Sequence, residues 1–135
     1  MGDPIAYVTP GYALNSTRQA FLATELRVAE SFGTRLRGLL KTKAQEFGFG
    51  RGLWIHPSKG VHAIGMRYAI DAVYLDRDKR VIHIQQGLKP WRLGPIRREA
   101  QSVLELPAGA VERTNTQLGD QVQIRQAALA GAIEG

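Results

Sequence analysis

The chain has no cysteine among its 135 residues. That absence excludes disulfides, thiol nucleophiles, thiolate zinc sites and iron–sulfur clusters together. Histidine is scarce, with three residues, and aromatics make up 7%. No apolar run reaches the roughly 18 residues a membrane-spanning helix needs. The first stretch lacks both a basic start and an apolar segment of about 7–15 residues, so no secretory leader is expected. These absences point to a cytoplasmic protein, or a periplasmic one if a leader has been removed. No internal repeat or low-complexity tract is visible.

What is present is a core. Apolar residues reach 44%, enough for one domain at this length and too much for a disordered chain. The formal charge is +6. Residues 76–98 hold Arg77, Lys79, Arg80, Lys89, Arg92, Arg97 and Arg98 against Asp76 and Asp78, a local +5. Such a segment reads either as a solvated surface or as a face for a polyanion. The alternative nucleic-acid site of this sequence is those seven cations.

Glycine and proline cut residues 48–109 into short pieces, the pattern of many short strands. Leu22 to Ala29 alternates as a half-buried strand, with Leu22, Thr24, Leu26 and Val28 on one side. Ser31 is placed to cap a short helix from Phe32, with Leu36, Leu39 and Leu40 on one face. Leu53–His56 reads as a strand stopped by Pro57. Ile70–Leu75 and Arg80–Ile84 flank an Asp-rich turn and read as a hairpin. Both its strands are apolar on both faces, which predicts a central position. Ser102–Leu106 and Gln121–Arg125 complete the strands. The expectation is a mainly β, single-domain jelly-roll-like β-sandwich or barrel with one or two short helices. Residues 1–21 are expected to be a flexible arm, 22–125 the domain and 126–135 a tail.

Chemistry-bearing residues crowd into Leu53–Asp71. His62 with Asp71 is the candidate acid–base pair of a hydrolase reading. His62 also reads as a structural histidine bonded to a carbonyl. His56, His62 and Asp71 have no compact ligand spacing such as H-E-x-x-H, so no metal and no cofactor is expected. Ser58 lies in Pro-Ser-Lys-Gly, not in a nucleophile elbow. The carboxylates Asp71, Glu105 and Asp120 would have to converge for glycoside hydrolysis. G-F-G-R-G at 48–52 precedes a strand rather than opening a helix, so it is no phosphate loop. Trp91, between Lys89-Pro90 and Arg92, offers a stacking face among cations, or a cover for one end of the core.

Three segments carry a resemblance: RLRGLLKT (35–42), GRGLWIHPSKGVHAIGMRYAIDAVYLDRDKRVIHI (50–84) and SVLELPAGAVERTNTQLGDQVQI (102–124). In combination they resemble the uncharacterised family called domain of unknown function 192, over about residues 22–125. The resemblance implies a compact, mostly β, jelly-roll-like fold with a short helix near the N-terminus, and no established activity. Many relatives carry a secretion signal or lipid anchor, and others are plain cytoplasmic proteins, which this chain resembles. The matching residues are Trp54, Pro57, His62, Gly65, Met66, Arg67, Asp71, Pro107 and Gly109. The chain departs where relatives often have Pro-Cys, here Pro57-Ser58. It departs again at Ala69, often proline, and at Lys79, often glycine in the hairpin turn. A serine at that cysteine position weighs against an enzyme.

The function expected from the sequence is therefore a non-enzymatic binding domain. Its polar, aromatic cleft would hold Trp54, His62, Met66, Arg67 and Asp71, with Trp91, and take a small or carbohydrate-like ligand or a protein partner. The protein is expected to be a monomer with no membrane span.

Overall fold

The computed structural model describes residues 8–29, 50–60 and 68–129. The helix expected from Phe32 lies outside them, as do His62, Met66 and Arg67. Nine strands are described in chain order: β1 (Val8–Thr9), β2 (Gly11–Asn15), β3 (Ala20–Ala29), β4 (Arg51–Ile55), β5 (Ile70–Leu75), β6 (Val81–Leu88), β7 (Ser102–Pro107), β8 (Val122–Arg125) and β9 (Ala128–Leu129). One short helix, α1 (Ala110–Thr114), sits between β7 and β8.

Seven strands form one sheet in the order β6-β5-β7-β4-β3-β2-β8, while β1 and β9 pair separately as a two-stranded ribbon. The long sheet curls into a half-barrel. Its two edge strands touch at one point, the antiparallel bridge Arg80–Gln121. Around that bridge Val81 N–H donates to Asp120 (2.9 Å), Val122 N–H to Lys79 (3.0 Å) and Gly119 N–H to Val81 (2.8 Å). Mainly β is therefore the observed class, but the jelly-roll sandwich expected from the sequence is not what forms. All seven long-sheet strands belong to one surface that rolls on itself, so its core is the inside of a curl rather than the space between two sheets.

The inner cluster draws on all seven strands and α1: Ala13, Leu26, Trp54, Val73, Val81, Leu104, Val111 and Val122 are among its members. Only the concave side can gather residues from both edge strands. The alternate residues of the central strands, Leu53, Ile55, Ala72, Tyr74 and Val103, form a second cluster on the outer side. β5 and β7 are buried at every position because both faces are covered.

Two irregularities set which side chains face where. Thr24 and Glu25 both aim their N–H at the Gly50 carbonyl (2.8 Å each). This bulge breaks the expected alternation, so Leu22 and Leu26 are buried while Thr24 is exposed. In the β5–β6 hairpin, Tyr74 pairs with His83 and Leu75 with Val81, leaving Ile82 as the extra residue. Asp76 Oδ1 accepts from Asp78 N–H (2.8 Å) and Arg80 N–H (2.9 Å), which builds the turn. Lys79 takes the left-handed conformation there, at φ 63°.

Three expectations change. The hairpin is not central as a unit: β5 is interior, but β6 is an end strand. Residues 11–15 of the expected arm form β2, between β3 and β8, with Ala13 and Asn15 fully buried. Ala128–Leu129 of the expected tail pairs with Val8–Thr9.

Candidate functional site

The residues of the expected cleft fall into different places. Trp54 points into the half-barrel and is 5% exposed. Its ring lies 4.8 Å from that of His56, and Lys79 Nζ stands 5.8 Å from its centroid. Asp71 also faces inward, on β5 opposite Leu106. Its carboxylate accepts three backbone N–H bonds, from Gly87 (2.9 Å) at one oxygen and from Gly109 (3.1 Å) and Val111 (3.0 Å) at the other. Asp71 thereby ties β6 to the start of α1, whose Gly109 cap has no side chain of its own to offer. Ser58 Oγ donates to the Gly60 carbonyl (2.7 Å), inside its own loop.

The three carboxylates weighed for hydrolysis do not meet. Glu105 pairs with Leu53 and Ala72, residues of the outer cluster, so it faces away from Asp71. Asp120 lies in the corner before β8. There its Oδ2 accepts from Asn15 Nδ2 (2.9 Å), Arg18 Nε (3.0 Å) and Gln117 N–H (2.9 Å). Burial alone would push the Asp120 carboxyl up. These hydrogen bonds and the Arg18 charge outweigh it and hold the group below its ordinary value.

The outer face carries a polar cluster that the sequence did not single out. Tyr74 of β5 and His83 of β6 stack edge to face at 5.0 Å. Tyr74 Oη donates to the Pro95 carbonyl (2.6 Å). Burial pushes the Tyr74 phenol up to about 12; Arg97 opposes this and the buried Glu105 charge adds to it. His83 Nδ1 lies 3.3 Å from Arg97 Nη2. A guanidinium can only donate, so Nδ1 accepts and the imidazole is neutral, with its proton on Nε2. Burial first, and the Arg97 charge second, lower the His83 pKa below its ordinary value. The pairing signal was in the sequence, since Tyr74 and His83 flank the hairpin turn, but the bulge at Ile82 decides that they meet.

These contacts anchor the segment 89–101, which runs over the outer face. Arg97 N–H donates to Lys59 O (2.8 Å), and Gln101 N–H to Leu75 O (2.8 Å). Lys59 Nζ donates to Arg98 O (2.8 Å) and Ala100 O (2.9 Å). Yet Trp91, Leu93 and Ile96 are 67%, 70% and 77% exposed. Lys89, Arg92, Arg97 and Arg98 accompany them, and no acid occurs between residues 89 and 98. The other cations of the segment, Arg77, Lys79 and Arg80, sit in the hairpin turn beside Asp76 and Asp78, at the opposite end of β6 from Lys89.

A groove of about 340 Å³ lies where Pro10–Gly11 meets β3, with Glu25, Arg27 and Arg51 on its wall. Glu25 and Arg51 pair at 3.5 Å across exposed side chains, so part of its charge is already neutralised. Among the described residues, no three His, Asp or Glu side chains gather as a metal site. No helix among them is long and apolar enough to cross a membrane.

Residues 13–124 match the model of DUF192, described as an uncharacterized ACR family. The chain belongs to the DUF192 family. A UPF0127 protein of Pyrococcus furiosus is 32% identical over 111 residues, covering 82% of this chain and 95% of that one. A UPF0127 protein of Thermococcus sibiricus is 25% identical over 114 residues, covering 81% and 71%. Two solved structures share the fold at 18% identity. A protein of unknown function from Novosphingobium aromaticivorans has a TM-score of 0.68, with 91% of each chain covered. A putative transcription regulator from Sinorhizobium meliloti has a TM-score of 0.69, covering 91% of this chain and 98% of that one. In this DUF192 member, the motif residues Asp71 and Gly109, together with Asp120, make contacts that hold the fold.

Proposed function

We propose that this DUF192 protein is a non-enzymatic binding domain that meets an anionic partner through the loop 89–98 on its outer face. One observation carries the reading. Trp91, Leu93 and Ile96 stay exposed in a loop whose backbone is pinned from below, and the loop carries four cations against one acid, Glu99 at its base. Exposed large apolar side chains ringed by one sign of charge mark interaction surfaces rather than ordinary loops.

A ligand cleft on Trp54 and Asp71 has less support. The Trp54 ring offers no open stacking face, and the Asp71 oxygens are engaged by backbone N–H groups. The same engagement disfavours Asp71 as a partner for His62 in hydrolysis.

The test is an amide NMR titration with dextran sulfate, a generic polyanion, at low and high salt. Shifts should concentrate at residues 89–98 and fade as salt rises, because binding releases counterions. The double variant Arg92→Glu/Arg98→Glu should abolish them. Shifts centred on residues 77–80 instead, or none at all, would reject this surface.

A further inference from the structure

Resting on that reading, we infer that the anionic partner of the 89–98 loop is the surface of an acidic lipid bilayer. The loop is built to push apolar groups outward. Its backbone is held at four places: Tyr74 Oη on Pro95 O, Arg97 N–H on Lys59 O, and Lys59 Nζ on Arg98 O and Ala100 O. Ala100, at its base, is fully buried. Trp91 sits in the left-handed region at φ 65°, a conformation that costs a non-glycine residue free energy. Lys89 O and Arg92 N–H close the turn around it at 3.2 Å. Gly60 backs the other end: a Cβ there would meet Ile96 Cγ1 at 3.3 Å, so Ile96 leans on bare backbone with its remaining surface in solvent.

The chemistry of the protruding residues selects among anionic partners. Nucleic acid offers bases that stack on aromatic rings and guanidinium planes. Trp91 and the arginines suit it, but Leu93 and Ile96 have no π face and gain little from bases. A bilayer interface uses all three. Tryptophan favours the headgroup level, aliphatic side chains enter the acyl boundary, and lysine and arginine meet anionic headgroups. Lys89, Arg92, Arg97 and Arg98 bracket the apolar residues, as such a contact requires. The contact is peripheral and needs no spanning segment.

The experiment compares the full chain with the double variant Leu93→Ser/Ile96→Ser. Both residues are exposed, so the variant should melt with the parent by circular dichroism. Each protein is sedimented with vesicles of phosphatidylcholine and phosphatidylserine, and with phosphatidylcholine alone. Each is also titrated with a random single-stranded oligonucleotide. The parent should bind the phosphatidylserine vesicles, at least about tenfold more tightly than the neutral ones. Its Trp91 emission should shift to the blue and become shielded from acrylamide. The double variant should lose at least about tenfold in affinity. Equal binding by parent and variant, or equal binding to neutral vesicles, overturns the inference. Oligonucleotide binding without vesicle binding also overturns it, while leaving the anionic-partner reading standing. Binding to neither probe removes both.

Discussion

Two connections on this half-barrel solve opposite problems. The corner around Asp120 joins α1 to β8 and turns its polar side chains inward. Asn15, Thr114, Thr116 and Asp120 are buried and bonded to one another, with Thr114 and Thr116 hydroxyls 2.6 Å apart. The loop 89–98 turns apolar side chains outward and satisfies its backbone from beneath. A buried polar group is costly unless bonded, so the corner is a closed network whose loss falls on stability. An exposed apolar group contributes little to the fold, so the loop's loss should fall on binding. The lesson is that polarity and burial must be read together: the inverted pairing of each marks what the region is for.

The comparison breaks first at Asp71, the other closed polar anchor. Asp71→Ala strands three backbone donors and should cost about 3–5 kcal/mol. Urea denaturation measures it, and a cost under about 1 kcal/mol would mean the anchor is dispensable. Asp120→Ala should follow at about 1–3 kcal/mol. Its folded pKa is depressed, so its stabilisation is complete above the unfolded value of 3.8 and is lost as pH falls through the folded one. The variant should therefore show a flatter acid limb when melting temperature is followed below pH 4. A parallel limb would assign the acid sensitivity elsewhere.

Smaller effects sharpen the other side. Trp91→Ala should change stability by no more than about 0.5 kcal/mol. In the parent protein acrylamide should quench Trp91 readily and Trp54 hardly at all, since their exposures are 67% and 5%. Smallest is His83. Its lowered pKa keeps it neutral in the fold, so its contribution is present above 6.5 and lost as pH falls through the folded value. Protonation there sets a second cation against Arg97. Amide protection factors at residues 96–98, taken relative to intrinsic exchange, should fall as pH drops below 6.5, and His83→Gln should remove that dependence.

Much of the sheet was legible in the chain. Ile70–Leu75, Val81–Ile84 and Ser102–Leu106 announce themselves by β-branched content and flanking turns, and they form β5, β6 and β7. The facing of Trp54 was not legible, because a strand apolar on both sides has no alternation to tell inward from outward. α1 escaped notice as well. It is five residues long and begins at a left-handed glycine with no side-chain cap, so it has neither a periodic stripe nor an Ncap signature. For the loop, the sequence marked Trp91 among cations. It did not show that Leu93 and Ile96 would join it at the surface, because that depends on Tyr74 and Lys59 reaching the backbone from elsewhere.

The pairing of β2 with β8 has a consequence for how the protein is made. Asn15 lies opposite Val122, so residues near the start of the chain wait for partners from near its end. During vectorial synthesis the β5–β6 hairpin can form as soon as Leu88 clears the ribosome, whereas the wall of the half-barrel stays open until Arg125 emerges. Throughout that interval one margin of β2 presents unpaired amides and carbonyls, the kind of template on which neighbouring nascent chains join. The Arg80–Gln121 bridge is thus a late fastening, and the period before it closes is when the chain most needs shelter.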